Sequence, residues 1–185
     1  MRYYFVMIRP NPVGRRARPR MRTGAAAVVC AACLAQGAWA AETPRVVGWI
    51  ERIMIGPPGI VLEAKLDTGA DTSSLHVSNL RWVSDGAGDR VAFDVSGEDG
   101  RTVRLVRRVE RVAHVKSATG GAQRRPVIVL GVCLDTTYRE VEVNLTDRTG
   151  FRQSFLVGRN FLARHFSVDA SRQHTVEPDC EVPQQ

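Results

Sequence analysis

The sequence predicts an all-β domain that carries one short helix near its C-terminal end. Three observations lead there. Runs of alternating and β-branched apolar residues recur along the chain, and turn residues interrupt them at short intervals. A single stretch, GRNFLARHF from Gly158, combines helix formers with Phe161, Leu162 and Phe166 on one face.

The first 40 residues stand apart from that pattern. From Met21 to Ala40 the chain reads MRTGAAAVVCAACLAQGAWA: a basic start, an apolar stretch, and Ala38-Trp39-Ala40 in the A-x-A pattern of a secretory cleavage site. The expectation is cleavage after Ala40 and export, to the periplasm. The apolar stretch is too short and too alanine-rich for a permanent membrane span, and the residues before Cys30 and Cys33 do not suit lipid attachment. The Arg- and Pro-rich segment ahead of Met21 reads either as a basic extension of the signal or as sequence upstream of a translation start at Met21.

Setting the leader aside reverses the charge argument. Its 40 residues hold seven Arg and no acid, so the 26 basic and 19 acidic residues of the whole chain become 19 of each. A formally neutral chain gives no ground for a nucleic-acid partner. The remaining 145 residues suffice for one domain, assigned to 41–176, with 177–185 as a polar tail. Cys133 and Cys180 stay with it, in a compartment that permits disulfides. Two readings are open for them: a disulfide tying the tail to a central strand, or a buried core thiol at Cys133 in VIVLGVCL.

In order, the predicted strands are Val46 to Ile55, Ile60 to Leu66, Val91 to Val95, Thr102 to Val115, Val127 to Leu134, Glu140 to Leu145 and Phe151 to Val157. Gly-Pro-Pro-Gly at 56–59, SDGAGD at 84–89, GEDG at 97–100 and SATGGAQ at 117–123 connect them. Residues 101–125 carry eight basic side chains against Glu110 alone. A solvated strand face that discourages edge pairing accounts for such an excess, and so does a site for acidic peptide.

The chemistry centres on EAKLDTGADTSSLHV, Glu63 to Val77. Asp67 follows directly on an apolar strand, and Thr68 and Gly69 after it permit a tight turn that would hold the carboxylate at the mouth of the sheet. An ordinary surface turn is the plainer reading. Downstream, SFLVGRNFL from Ser154 to Leu162 gives an apolar pair, then Gly-Arg-Asn, then the helix.

Together LDTGAD and LVGRNFL resemble the retropepsin family of aspartic peptidases, whose fold is a single-lobe acid-protease barrel. The pattern from Lys65 to His76, with VGWIERI upstream and GRNFLARHFSVD downstream, is similar to a bacterial retropepsin-like family known as "ATP-dependent zinc protease", over most of residues 46–170. The resemblance implies that Asp67, Thr68 and Gly69 form the catalytic loop, and that Ala70, Asp71, Gly158 and Arg159 support it through an Asp71–Arg159 ion pair. The sequence offers neither an H-E-x-x-H motif nor a Gly-rich phosphate loop, and His76, His114, His165 and His174 are scattered, so no metal or cofactor is expected.

Aspartic-peptidase chemistry needs two carboxylates, and the domain holds one Asp-Thr-Gly. Asp147-Arg148-Thr149-Gly150 carries an insertion and Asp135-Thr136-Thr137 lacks the glycine, so both read as turns. The expectation is a homodimer that brings two copies of Asp67 together, a peptide or protein substrate, and a mobile hairpin over the cleft in HVKSATGGAQRRPV. The alternatives are a retropepsin-like domain that binds peptide without cleaving it, and an accessory to a membrane-bound ligase or transglutaminase-like partner.

Overall fold

The structure, a computed structural model, describes residues 43–84, 88–116 and 122–183; the expected leader and the 117–121 tip of the expected hairpin lie outside them. The described residues form β1 (Arg45–Gly56), β2 (Ile60–Leu66), β3 (Ser73–His76), β4 (Ser78–Ser84), β5 (Asp89–Ser96), β6 (Thr102–Arg108), β7 (Arg111–Lys116), β8 (Ala122–Leu134), β9 (Thr137–Thr146), β10 (Phe155–Val157), α1 (Arg159–Leu162) and β11 (Phe166–Gln173). The all-β expectation with one short helix holds. Among the described residues no helix is long and apolar enough to cross a membrane.

Alternation in β2 turns Ile60, Leu62, Ala64 and Leu66 into the core and leaves Val61, Glu63 and Lys65 half-buried on the other face, as a pleated strand requires. β2 pairs antiparallel with β1 from Ile50↔Lys65 to Ile55↔Ile60. The sheet then runs β1-β2-β10-β3-β9-β8, and β8 returns to β1 through Met54↔Cys133, Ile55↔Val132 and Gly56↔Gly131. Six strands thus close into a barrel, with β11 added outside β1 and β7 outside β8.

The core is built of apolar side chains: Ile53, Ile55, Leu75, Val143, Phe155, Val157 and Phe161 are fully buried together. A separate three-stranded sheet, β4-β5-β6, turns Val91, Phe93, Val95 and Leu105 into the same core. The helical turn α1 buries Phe161 and Leu162, and the Phe161 ring stacks on Phe166 with centroids 5.8 Å apart.

Two predicted strands differ from the structure. Thr102 to Val115 divides into β6 and β7, which belong to different sheets. At the crossing the Val109 N–H bonds the Asp89 carbonyl and the Glu110 N–H bonds that of Val127, so the chain changes partner without a Gly or Pro. Phe151 to Val157 shortens to β10, because Gly150 takes a left-handed φ of 93° and residues 147–153 turn.

The C-terminal tail is fastened along the barrel. Cys133 and Cys180 form a disulfide closing a sequence separation of 47, which settles the open reading of this pair. Upstream of it lies Glu51, fully buried on β1. A carboxylate survives there because donors surround it: the N–H groups of Gly48 at 2.6 Å, Thr175 at 2.8 Å and Val176 at 3.2 Å, and the Thr175 hydroxyl. Arg52 reaches Glu177 at 2.8 Å, and His174 stands 3.1 Å from Glu63.

Removing the Glu51 carboxylate would orphan these donors, at about 1–3 kcal/mol for each that water cannot reach. Glu51→Ala is therefore expected to lose about 3 kcal/mol of stability in urea unfolding. A loss below about 1 kcal/mol would show that the cradle does not hold the tail.

Candidate active site

Topology places Asp67. β2 and β3 are consecutive in sequence, yet β10 lies hydrogen-bonded between them, parallel to β2 and antiparallel to β3. The link of residues 67–72 must therefore pass over the end of β10 and stand clear of the sheet. The Asp67 N–H makes the last rung, to the Val157 carbonyl at 2.9 Å. Beyond it the Gly69 N–H donates to Asp67 Oδ1 at 2.9 Å, and Lys65 Nζ lies 3.4 Å from Oδ2. The Asp67 side chain is 28 % exposed, and Thr68 and Gly69 are open to solvent.

The loop is held from below by the start of α1. Arg159 donates one guanidinium N–H to the Thr68 carbonyl at 2.9 Å and another to Asp71 Oδ1. Its backbone N–H takes the Ala70 carbonyl at 2.8 Å, and that of Asn160 takes the Asp71 carbonyl at 3.1 Å. Asp71 and Arg159 thus meet as the resemblance implied, and Ala70 and Gly158 lie in the same contact.

Beneath this layer Asn160 Oδ1 accepts from both the backbone N–H and the hydroxyl of buried Ser73, at 3.1 and 2.9 Å, while Asn160 Nδ2 donates to the Glu142 carbonyl at 2.8 Å. Ser73 Oγ in turn accepts from the Gly158 N–H at 3.0 Å. The backbones approach so closely here that a Cβ on Gly158 would stand 2.7 Å from the Thr72 carbonyl carbon.

A cleft of about 410 Å³ opens beside the loop, lined by Ala70, Asp71 and Thr72 of the loop and by Arg111, Arg125 and Arg148. Arg111 is spent on Glu142, its Nη2 lying 2.6 Å from the carboxylate. Arg125 and Arg148 meet neutral acceptors instead. Arg148 donates to Ser74 Oγ at 3.0 Å and the Gln153 carbonyl at 3.3 Å, and its guanidinium lies over exposed Phe151, 4.6 Å from the ring centroid.

Burial pushes the Arg148 guanidinium below its ordinary value, neighbouring Arg125 adds to that, and Asp67 opposes it. Burial alone lowers Arg125. Both stay cationic, since arginine starts so high. Sequence reading missed these two as site residues. Arg148 sits in the Asp-Arg-Thr-Gly stretch read as a turn, which it is; Arg125 lay in the basic run that gave a signal without a location.

Among the described residues, neither the hydrogen bonds nor the ion pairs of Asp67 include a second carboxylate. His76 Nδ1 accepts from the Arg148 N–H at 2.8 Å, and among the described residues no group of three or more His, Cys, Asp or Glu is placed to hold a metal ion. The tight contact at Gly158 gives a direct check of the support. Gly158→Ala is expected to displace the 67–72 loop and to cost about 3 kcal/mol in thermal or urea unfolding. Unchanged stability would mean that the support gives way freely.

The chain is 29 % identical over 141 residues to a protein of Shewanella pealeana named "Probable alpha-L-glutamate ligase", and 29 % identical over 128 residues to one of the same name from Desulfotalea psychrophila. These alignments take in 74 % and 68 % of this chain but 30 % and 27 % of the relatives, so the chain spans about a third or less of their length. A crystal structure of a Legionella pneumophila protein of unknown function superimposes with a TM-score of 0.61 at 28 % identity, covering 72 % of this chain and 98 % of that one. The family model described as "Retropepsin-like aspartic endopeptidase RimB" matches residues 46–179, and the chain belongs to this RimB-like family.

Proposed function

We propose that this protein is an exported aspartic endopeptidase that hydrolyses acidic peptides as a two-fold dimer. One observation carries the reading: Asp67 is 28 % exposed at the start of the loop whose Ala70, Asp71 and Thr72 line the cleft, its Oδ1 oriented by the Gly69 N–H, with no second carboxylate among the described residues bonded to it. A water-activating dyad needs two such groups sharing a proton. An isologous contact through the exposed Thr68–Gly69 turn supplies the second as Asp67 of the other copy.

In that dimer one carboxylate takes a proton from water as the oxygen attacks the scissile carbonyl carbon, and the other donates its proton to the carbonyl oxygen. The tetrahedral diol then collapses: the protonated carboxylate gives its proton to the leaving nitrogen as the C–N bond breaks, a diol hydroxyl returns a proton to the other carboxylate as the carbonyl reforms, and the dyad is left with one proton again. Within each copy, Arg159 holds Thr68 and Asp71 so that the two loops meet in a fixed register.

The preference for acidic substrate rests on Arg125 and Arg148, two positive charges in the cleft that no carboxylate of the described residues neutralises by hydrogen bond or ion pair. The names of the relatives agree with it, since a glutamate ligase makes glutamate-containing product. The β7–β8 hairpin, which carries Arg111 and Arg125, borders the cleft as a cover would.

A second reading also has an observation behind it. This chain matches only about 30 % of proteins named as ligases, so a domain of this kind can serve as the peptide-binding partner of a ligase. Cleavage of an acidic peptide library by the protein and by Asp67→Asn separates the two. The peptidase predicts turnover that Asp67→Asn lowers by at least about a thousandfold with the fold intact. Binding without Asp67-dependent turnover would establish the second reading instead.

A further inference from the structure

Arginines in folded proteins commonly end on carboxylates, and among the described residues Arg45, Arg52, Arg101, Arg104, Arg111 and Arg159 do. Arg125 ends on two amides. Its Nε and Nη2 donate to Gln123 Oε1 at 2.9 and 2.8 Å, and its Nη1 donates to Asn144 Oδ1 at 3.3 Å. Neither amide's orientation toward the guanidinium is arbitrary. Asn144 Nδ2 donates to the Ser73 carbonyl at 2.8 Å, and a carbonyl only accepts, so Asn144 must turn its oxygen to Arg125. Gln123 meets the guanidinium edge with one oxygen across two donors, the position a glutamate would take to neutralise it.

We infer that Gln123 and Asn144 are specificity-determining residues: they aim Arg125 into the cleft while leaving its charge unneutralised for an anionic group of the substrate. The inference rests on the acidic-peptide reading of the same cleft. A carboxylate at either position would aim the guanidinium equally well and would cancel the charge that the ligand is to meet. Neutral holders give geometry without that cancellation. Arg148, held by the Ser74 hydroxyl and the Gln153 carbonyl, follows the same rule in the same cleft. Asn144 also joins the cleft to the catalytic loop, because the Ser73 that it bonds is the residue Asn160 and Gly158 hold beneath that loop. Asn144 is buried and bonded on both sides, whereas Gln123 is exposed and can be changed with little effect on folding.

The test measures binding, so that it stands apart from whether the protein is a peptidase. In a full-length Asp67→Asn background, fluorescence anisotropy gives the affinity for a labelled Glu-rich hexapeptide and for its Gln-rich counterpart, and the ratio reports charge recognition. Gln123→Glu is expected to lower that ratio about tenfold, since an internal ion pair competes with the ligand. Gln123→Met, which loosens Arg125 without neutralising it, should lower the ratio less than threefold. Asn144→Asp should follow Gln123→Glu in direction. Equal ratios in Gln123→Glu and the parent, equal loss in Gln123→Met and Gln123→Glu, or no preference for the Glu-rich peptide in the parent would each overturn the inference. A preference that Gln123→Glu removes would sustain it even if Asp67 never supports turnover.

Discussion

The insertion of β10 between β2 and β3 is the constraint on which the site depends. A chain that passes directly from one strand to its neighbour makes a tight hairpin. Here the neighbours are kept apart by a third strand, and the residues between them, 67–72, are forced out over its end. That is why a carboxylate stands at the mouth of the barrel. It is also why the segment after β10 lies directly below the loop, where Arg159 and Asn160 bond the Thr68, Ala70 and Asp71 carbonyls. One topological step thus makes the loop and supplies the means to hold it.

The same segment links the site to the rest of the molecule. Phe161 sits in the core and stacks on Phe166, so the support turns with the barrel interior and not with the surface. On the opposite side the barrel closes through three residue pairs between β1 and β8. The disulfide from Cys133 in that seam and the buried Glu51 beside the tail tie the C-terminus to it. A rigid seam matters because a loop positioned by several strands can hold a carboxylate no better than those strands hold each other.

The legible part of the sequence was the part governed by local chemistry. Alternation in Ile60 to Leu66 gave β2 with its boundaries, and the resemblance carried by the Asp-Thr-Gly and Gly-Arg-Asn motifs implied the loop and its support. The crossing at Val109–Glu110 was illegible: both residues suit a strand, and only the Asp89 and Val127 carbonyls elsewhere in the chain make them part company. β11 was missed because most of it is exposed and carries little periodicity. Arg125 and Arg148 could not be told from other surface arginines, since what sets them apart is the neutral character of partners up to 74 residues distant. Distances between strands, and not residue types, define the cleft.

The central claim is that catalysis here belongs to a pair of chains. Sedimentation of the protein through a dilution series, with acidic-peptide cleavage followed in the same samples, tests it most directly. Specific activity is expected to fall in step with the dimer fraction, as it must when each copy brings one Asp67 to a shared dyad. Full specific activity from a species that sediments as a monomer at every concentration would contradict it.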